Sequence, residues 1–138
     1  MFRIALLTFA SCLVFTGCGD TIKGKSVAEP EVGIFHQRLN QRQFEEIYAA
    51  AGDEFQNAGP KEKILDLFSA IDRKLGPAKS WNTTGWNVQT FNLTTMVTLV
   101  EDTTFEKGQG TEKFTFKVSG DKATLVGYNI SSLDMMIK

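Results

Sequence analysis

The sequence predicts an α+β fold, with two N-terminal helices packed on an antiparallel sheet of three to four strands. Three observations carry this expectation. Apolar residues recur at helical spacing between Phe44 and Leu75, they alternate with polar ones between Met96 and Ile130, and Gly- or Pro-rich breaks separate the runs. Helices first and strands afterwards is the order of a layered α+β domain, not of alternating βαβ units.

Taken in order, Phe35 and Leu39 suggest a short opening turn. Asn40 stands three residues before Gln43, an Asn variant of the capping box, and predicts a fresh helix start. Phe44, Ile47, Tyr48, Ala51 and Phe55 then form one continuous face. The break "NAGP" ends it. Pro60 suits the first position of a second helix with Gly59 as its cap, and Ile64, Leu65, Phe68, Ile71 and Leu75 make its stripe. Gly76-Pro77 closes that helix in the usual order.

The β pattern follows. Strands are expected at Met96–Phe105, Thr111–Ser119 and Lys122–Ile130, with a short one near Trp86–Phe91 before them. In "TEKFTFKVS", Phe114, Phe116 and Val118 share one face while Lys113, Thr115 and Lys117 share the other, as in a half-buried antiparallel strand. Gly120-Asp121 has glycine first and fits a type II′ hairpin turn.

Ahead of this domain stand Arg3 and an apolar run from Ile4 to Val14. The run is shorter than the roughly 20 residues a membrane span needs. It has the layout of an export signal, a segment to be left out of fold reasoning. Its end, Phe15-Thr16-Gly17-Cys18, resembles the lipobox of bacterial lipoproteins, with Phe15 in place of the usual Leu. That resemblance implies cleavage before Cys18 and acylation of its sulfur and freed amine. Two or more acyl chains anchor a protein stably where one does not. Cys12 would leave with the signal, so Cys18 would be the only remaining cysteine, and acylation removes a lone thiol from an oxidising compartment. The expected division is a signal over 1–17, a flexible Gly-, Pro- and charge-rich tether over 18–33, and one domain over 34–138. In such lipoproteins Asp directly after the cysteine favours inner-membrane retention. Here Gly19 holds that place, so the expected address is the outer membrane, facing the periplasm.

A net charge of −1 argues against nucleic acid or anionic lipid as the main partner. Eleven phenylalanines in the chain, eight of them within 34–138, and two tryptophans give one domain enough apolar bulk to fold without disulfides or metal. No Cys/His metal set, nucleophile elbow or phosphate loop stands out, so no cofactor is expected.

The order of elements resembles small exported NTF2-like or cystatin-like domains. The matching stretches are "IYAAAGDEF", "IDRKLG", "TTFEKGQGTEKFTF" and "LVGYNI". The resemblance implies a curved sheet wrapped around helices, with a concave face able to hold a ligand. It implies no activity, because one fold carries many functions.

The candidate ligand-binding residues are Glu112, Glu101, Tyr128 and Trp86. Glu112 lies two before Phe114 and therefore on the core side, where a carboxylate is costly unless paired or wet. It is either a ligand contact or raised-pKa acid in the concavity, or a residue at a frayed strand start beside the glycine loop, solvated or bonded to a backbone donor, and the last is expected. Glu101 shares a register with Val97, Leu99, Thr103 and Phe105, unless a bulge turns it outward. Tyr128 is expected to anchor the last strand through its ring and hydroxyl. His36 is expected at the surface. "SWNTTGW" offers Trp81 and Trp86 for a binding loop or, more simply, for helix–sheet packing. The expected function is a lipid-anchored, non-catalytic domain that binds an envelope protein or small ligand. The alternatives are an NTF2-like enzyme using both carboxylates, and a lipoprotein inhibitor or immunity protein.

Overall fold

The computed structural model describes residues 19–138, so the lipobox-like Phe15 to Cys18 and the apolar run before it lie outside the described residues. The chain forms α1 (Gly19–Asn40), α2 (Phe44–Ala50), α3 (Asp53–Gln56) and α4 (Lys61–Leu75). The strands β1 (Ala78–Phe91), β2 (Thr94–Phe105), β3 (Gly108–Ser119) and β4 (Lys122–Ser131) follow, and a short α5 (Leu133–Ile137) ends it. The sheet is an antiparallel meander in the order β1-β2-β3-β4. No described helix is long and apolar enough to cross a membrane.

The expected tether is instead most of α1. Ala28, Val32, Phe35, His36 and Leu39 lie on one helical stripe and are all buried. Pro30 and Gly33 within it, and Lys23, Gly24 and Lys25 just before it, obscure that stripe in the sequence. Pro30 removes one internal hydrogen bond but sits on the exposed side of the helix. The glycines bring the helix close to the sheet. A Cβ at Gly24 would stand 3.3 Å from a methyl of Val97, and one at Gly33 would stand 3.7 Å from the Trp81 ring. Asn40 then fixes the far end of α1 to the start of β1, donating to the Ala78 carbonyl (3.0 Å) and accepting from its amide (2.8 Å). This use of Asn40 replaces the expected capping box.

Thus α1 covers the sheet, and the two expected helices do not both lie there. The first of them is broken at Ala51-Gly52, where the chain turns extended and the Gly52 amide bonds the Leu125 carbonyl of edge strand β4 (2.8 Å). The second, α4, packs on α1, α2 and α5. Its buried Phe68 meets Phe35, Phe55 and Tyr128 at ring separations of 5.7, 6.4 and 6.1 Å. Gly76, at φ +73°, ends it as expected, while its N-cap is Pro60, one residue later than the expected Gly59.

The strands stand close to their expected positions, except that β1 begins at Ala78. Gly120 has φ +60°, in keeping with the type II′ turn. The β1–β2 turn is of the other hairpin kind, with positive φ at both Asn92 (48°) and Leu93 (65°). Two register shifts matter for the site. One in β1 lets Trp81, Thr83, Trp86 and Val88 all face α1, across a change from odd to even positions. One at Thr115/Phe116 does the same in β4 for Leu125 and Tyr128.

Candidate functional site

Strand alternation aims Glu101 and Thr103 of β2, and Glu112 of β3, at α1, and all three are buried. Glu101 and Glu112 are direct cross-strand partners. β2 itself carries no register shift, so the bulge that could have turned Glu101 outward occurs in its neighbour β1 instead.

Glu112 is fully buried and every donor around it is a side chain. Its Oε2 accepts from Thr103 Oγ1 (2.5 Å) and meets His36 Nε2 at 2.6 Å, and its Oε1 accepts from Tyr128 OH at 2.6 Å. The expectation of a solvated residue at a frayed strand start is therefore overturned. A carboxylate in an apolar core is tolerable only when its oxygens are bonded, and three donors supply that. In the neutral His36 ring this contact places the proton on Nε2. Nδ1 is then a bare acceptor without a partner among the described residues.

His36 is itself fully buried, which corrects its expected surface position. It lies on the α1 stripe between Phe35 and Leu39. Trp81 lies against the imidazole at 4.3 Å between ring centroids, and Phe35 and Phe114 meet it edge-on at 5.8 and 5.9 Å. The Trp81 ring is about two-fifths exposed, so it roofs the site rather than filling it.

Glu101 is less well served. Thr83 Oγ1 donates to its Oε1 at 2.8 Å, while its buried Oε2 has no partner among the described residues. Burial pushes the Glu101 pKa above the ordinary carboxylate range. The Thr83 bond opposes this, as does His36 when charged, and the negative charges of Glu29 and Glu112 reinforce it. The Tyr128 phenol is held well above its ordinary value, first by burial, then by the Glu112 charge and the hydrogen bond donated to it.

Of the four candidate residues, Glu112, Glu101 and Tyr128 thus belong to one polar cluster. Trp86 stands apart, opposite Leu99 and half-exposed, with the Lys25 ammonium 5.8 Å from its ring centroid. Sequence reasoning missed His36, Thr83 and Trp81 as members. Helical spacing from Val32 to Leu39 was the available signal for the first, whereas the β1 bulge hid the other two. Among the described residues, no three His, Cys, Asp or Glu side chains cluster as metal ligands. A surface cleft of about 40 Å³ opens elsewhere, between α1, α2 and the sheet, lined in part by Ile34, Ile47 and Leu125. Comparison of the chain with protein-family models, with curated proteins and with solved structures returns no match.

Proposed function

We propose that this chain is a lipid-anchored protein of the cell envelope, held through Cys18 in the outer membrane and facing the periplasm. Its NTF2-like or cystatin-like domain binds an envelope protein or a small ligand without catalysis. The observation that carries the non-catalytic reading is the saturation of Glu112. A general acid or base must hold its proton position open to substrate. Both Glu112 oxygens are occupied by internal donors, so this carboxylate ties α1, β2, β3 and β4 together. The candidate contact surface is β1, an edge strand that presents half-exposed Trp81 and Trp86. Aromatic side chains of this kind are enriched at interfaces.

A second reading, an enzyme, is favoured by one specific observation. Glu101 Oε2 and His36 Nδ1 are buried without partners among the described residues, and Trp81 lies against the His36 ring. A substrate reaching His36 past that ring would have to displace it.

The anchor is tested by Cys18→Ala in the full chain. Palmitate labelling and membrane fractionation should both be lost. Labelling that persists in this variant would refute lipidation at Cys18.

A further inference from the structure

One end of the domain gathers three chain segments: the start of α1, the β1–β2 turn and the β3–β4 turn. Lys23 Nζ lies 3.8 Å from Asp121 in the β3–β4 turn. Gly24 faces Val88, Thr95 and Val97 beside the β1–β2 turn. Lys23, Leu93 and Gly120 line one shallow cleft there.

Beside the exposed Lys23 and Asp121, this end presents three large apolar side chains to solvent. Leu93 is 100% exposed, Phe91 79% and Ile22 64%. Leu93 is doubly unusual. Its φ of 65° belongs to the left-handed region, which glycine or asparagine adopts with less strain. Its side chain nevertheless lies wholly outside the protein. Neither the turn nor the core calls for leucine at that position, so the demand comes from outside the chain.

The place where the remaining chain joins identifies the occupant. Residues 1–18 connect at Gly19, the first residue of α1, and one residue spans at most about 3.6 Å. An acyl chain on Cys18 therefore starts within one residue of the helix end that lies beside Ile22, Phe91 and Leu93. We propose that this end is a membrane-contact surface, with Leu93 and Phe91 resting in the headgroup–acyl boundary of the bilayer that holds the anchor. Apolar side chains on interfacial elements reach about 5–10 Å into that boundary. The inference rests on the anchor reading above and adds the orientation: the domain sits end-on, with its α5 end pointing away.

The opposite end supplies the control. There α5 is joined to the start of β3 by the Gln109 amide, which donates to Asp134 at 3.0 Å. It exposes Leu133, Met136 and Ile137 at 66%, 75% and 70%, a comparable apolar area. The full chain is reconstituted in phosphatidylethanolamine–phosphatidylglycerol vesicles containing a phospholipid with a diazirine in its acyl chain. After irradiation, lipid adducts and the mass of the Cys18 peptide are mapped by mass spectrometry. Adducts are expected at Phe91, Leu93 and Ile22 and not on α5. Phe91→Ser with Leu93→Ser, both at exposed positions, should lower the hairpin yield by about tenfold. An acylated Cys18 with adducts on α5, or with none on the domain, overturns the proposal and leaves the anchor standing. Hairpin adducts without acylation uphold the surface and refute the anchor. Neither adducts nor acylation refutes both.

Discussion

Two glutamates on neighbouring strands, paired across the ladder and equally buried, meet opposite fates. Glu112 has a donor for each oxygen and a second for Oε2, drawn from α1, β2 and β4. Glu101 has one donor, from β1, and a second oxygen with no partner among the described residues. Burial alone therefore does not set the cost of a core carboxylate. The number of elements that reach it does. Both lie on inner strands, but Glu112 is met by donors from α1, β2 and β4, whereas Glu101 is met by one from the edge strand β1.

The sharpest way to break this contrast is Glu112→Ala. It strands His36, Thr103 and Tyr128 together and should cost about 3–5 kcal/mol in urea or guanidinium unfolding. A loss below about 1 kcal/mol would mean that water replaces the carboxylate and that the cluster is wet. Tyr128→Phe should cost about 1–2 kcal/mol, because the ring packing stays and Glu112 keeps two donors.

Glu101→Gln should have the smallest effect, and its size should depend on pH. The folded-state pKa of Glu101 is raised, so its protonated form contributes stability that is fully present below the unfolded value of about 4.3. That contribution is lost as pH rises through the raised folded value. The variant should therefore match the parent in acid and exceed it near neutrality by about 1 kcal/mol, the cost of a charged oxygen left without a donor. The groups facing Glu101 are Thr83, His36, Glu29 and Glu112, and the difference between variant and parent cancels their own titrations to first order. A stability difference that stays flat between pH 4 and 8 would show that Glu101 is paired by a group other than Thr83.

Much of this was legible in the residues. Alternation in "TEKFTFKVS" and from Val97 to Phe105 aimed both carboxylates and Thr103 inward, and Gly120 marked its turn. The helix that meets those carboxylates was not read. Ala28, Val32, Phe35, His36 and Leu39 keep strict helical spacing, but Pro30, two glycines and several charges mimic a linker. Those features serve close approach to the sheet and a solvated outer face. The bulges near Thr84 and Val126 were equally hidden, since one extra residue shifts which positions face inward and leaves no compositional trace. The break at Ala51-Gly52 depends on a carbonyl in β4, a partner far along the chain.

The Glu112 cluster also bears on how the strands find their alignment. Apolar alternation forbids a slip of one residue, which would turn Phe114 and Phe116 to solvent. It is nearly blind to a slip of two, because phenylalanine would replace phenylalanine. Such a slip would carry Glu112 into the place of Phe114, against Phe35, and leave His36, Thr103 and Tyr128 facing Gly110, which has no side chain to accept from them. The carboxylate thus rejects a misalignment that hydrophobic burial would accept. Because His36 and Glu112 lie 76 positions apart, that check completes only once α1 has met the third strand.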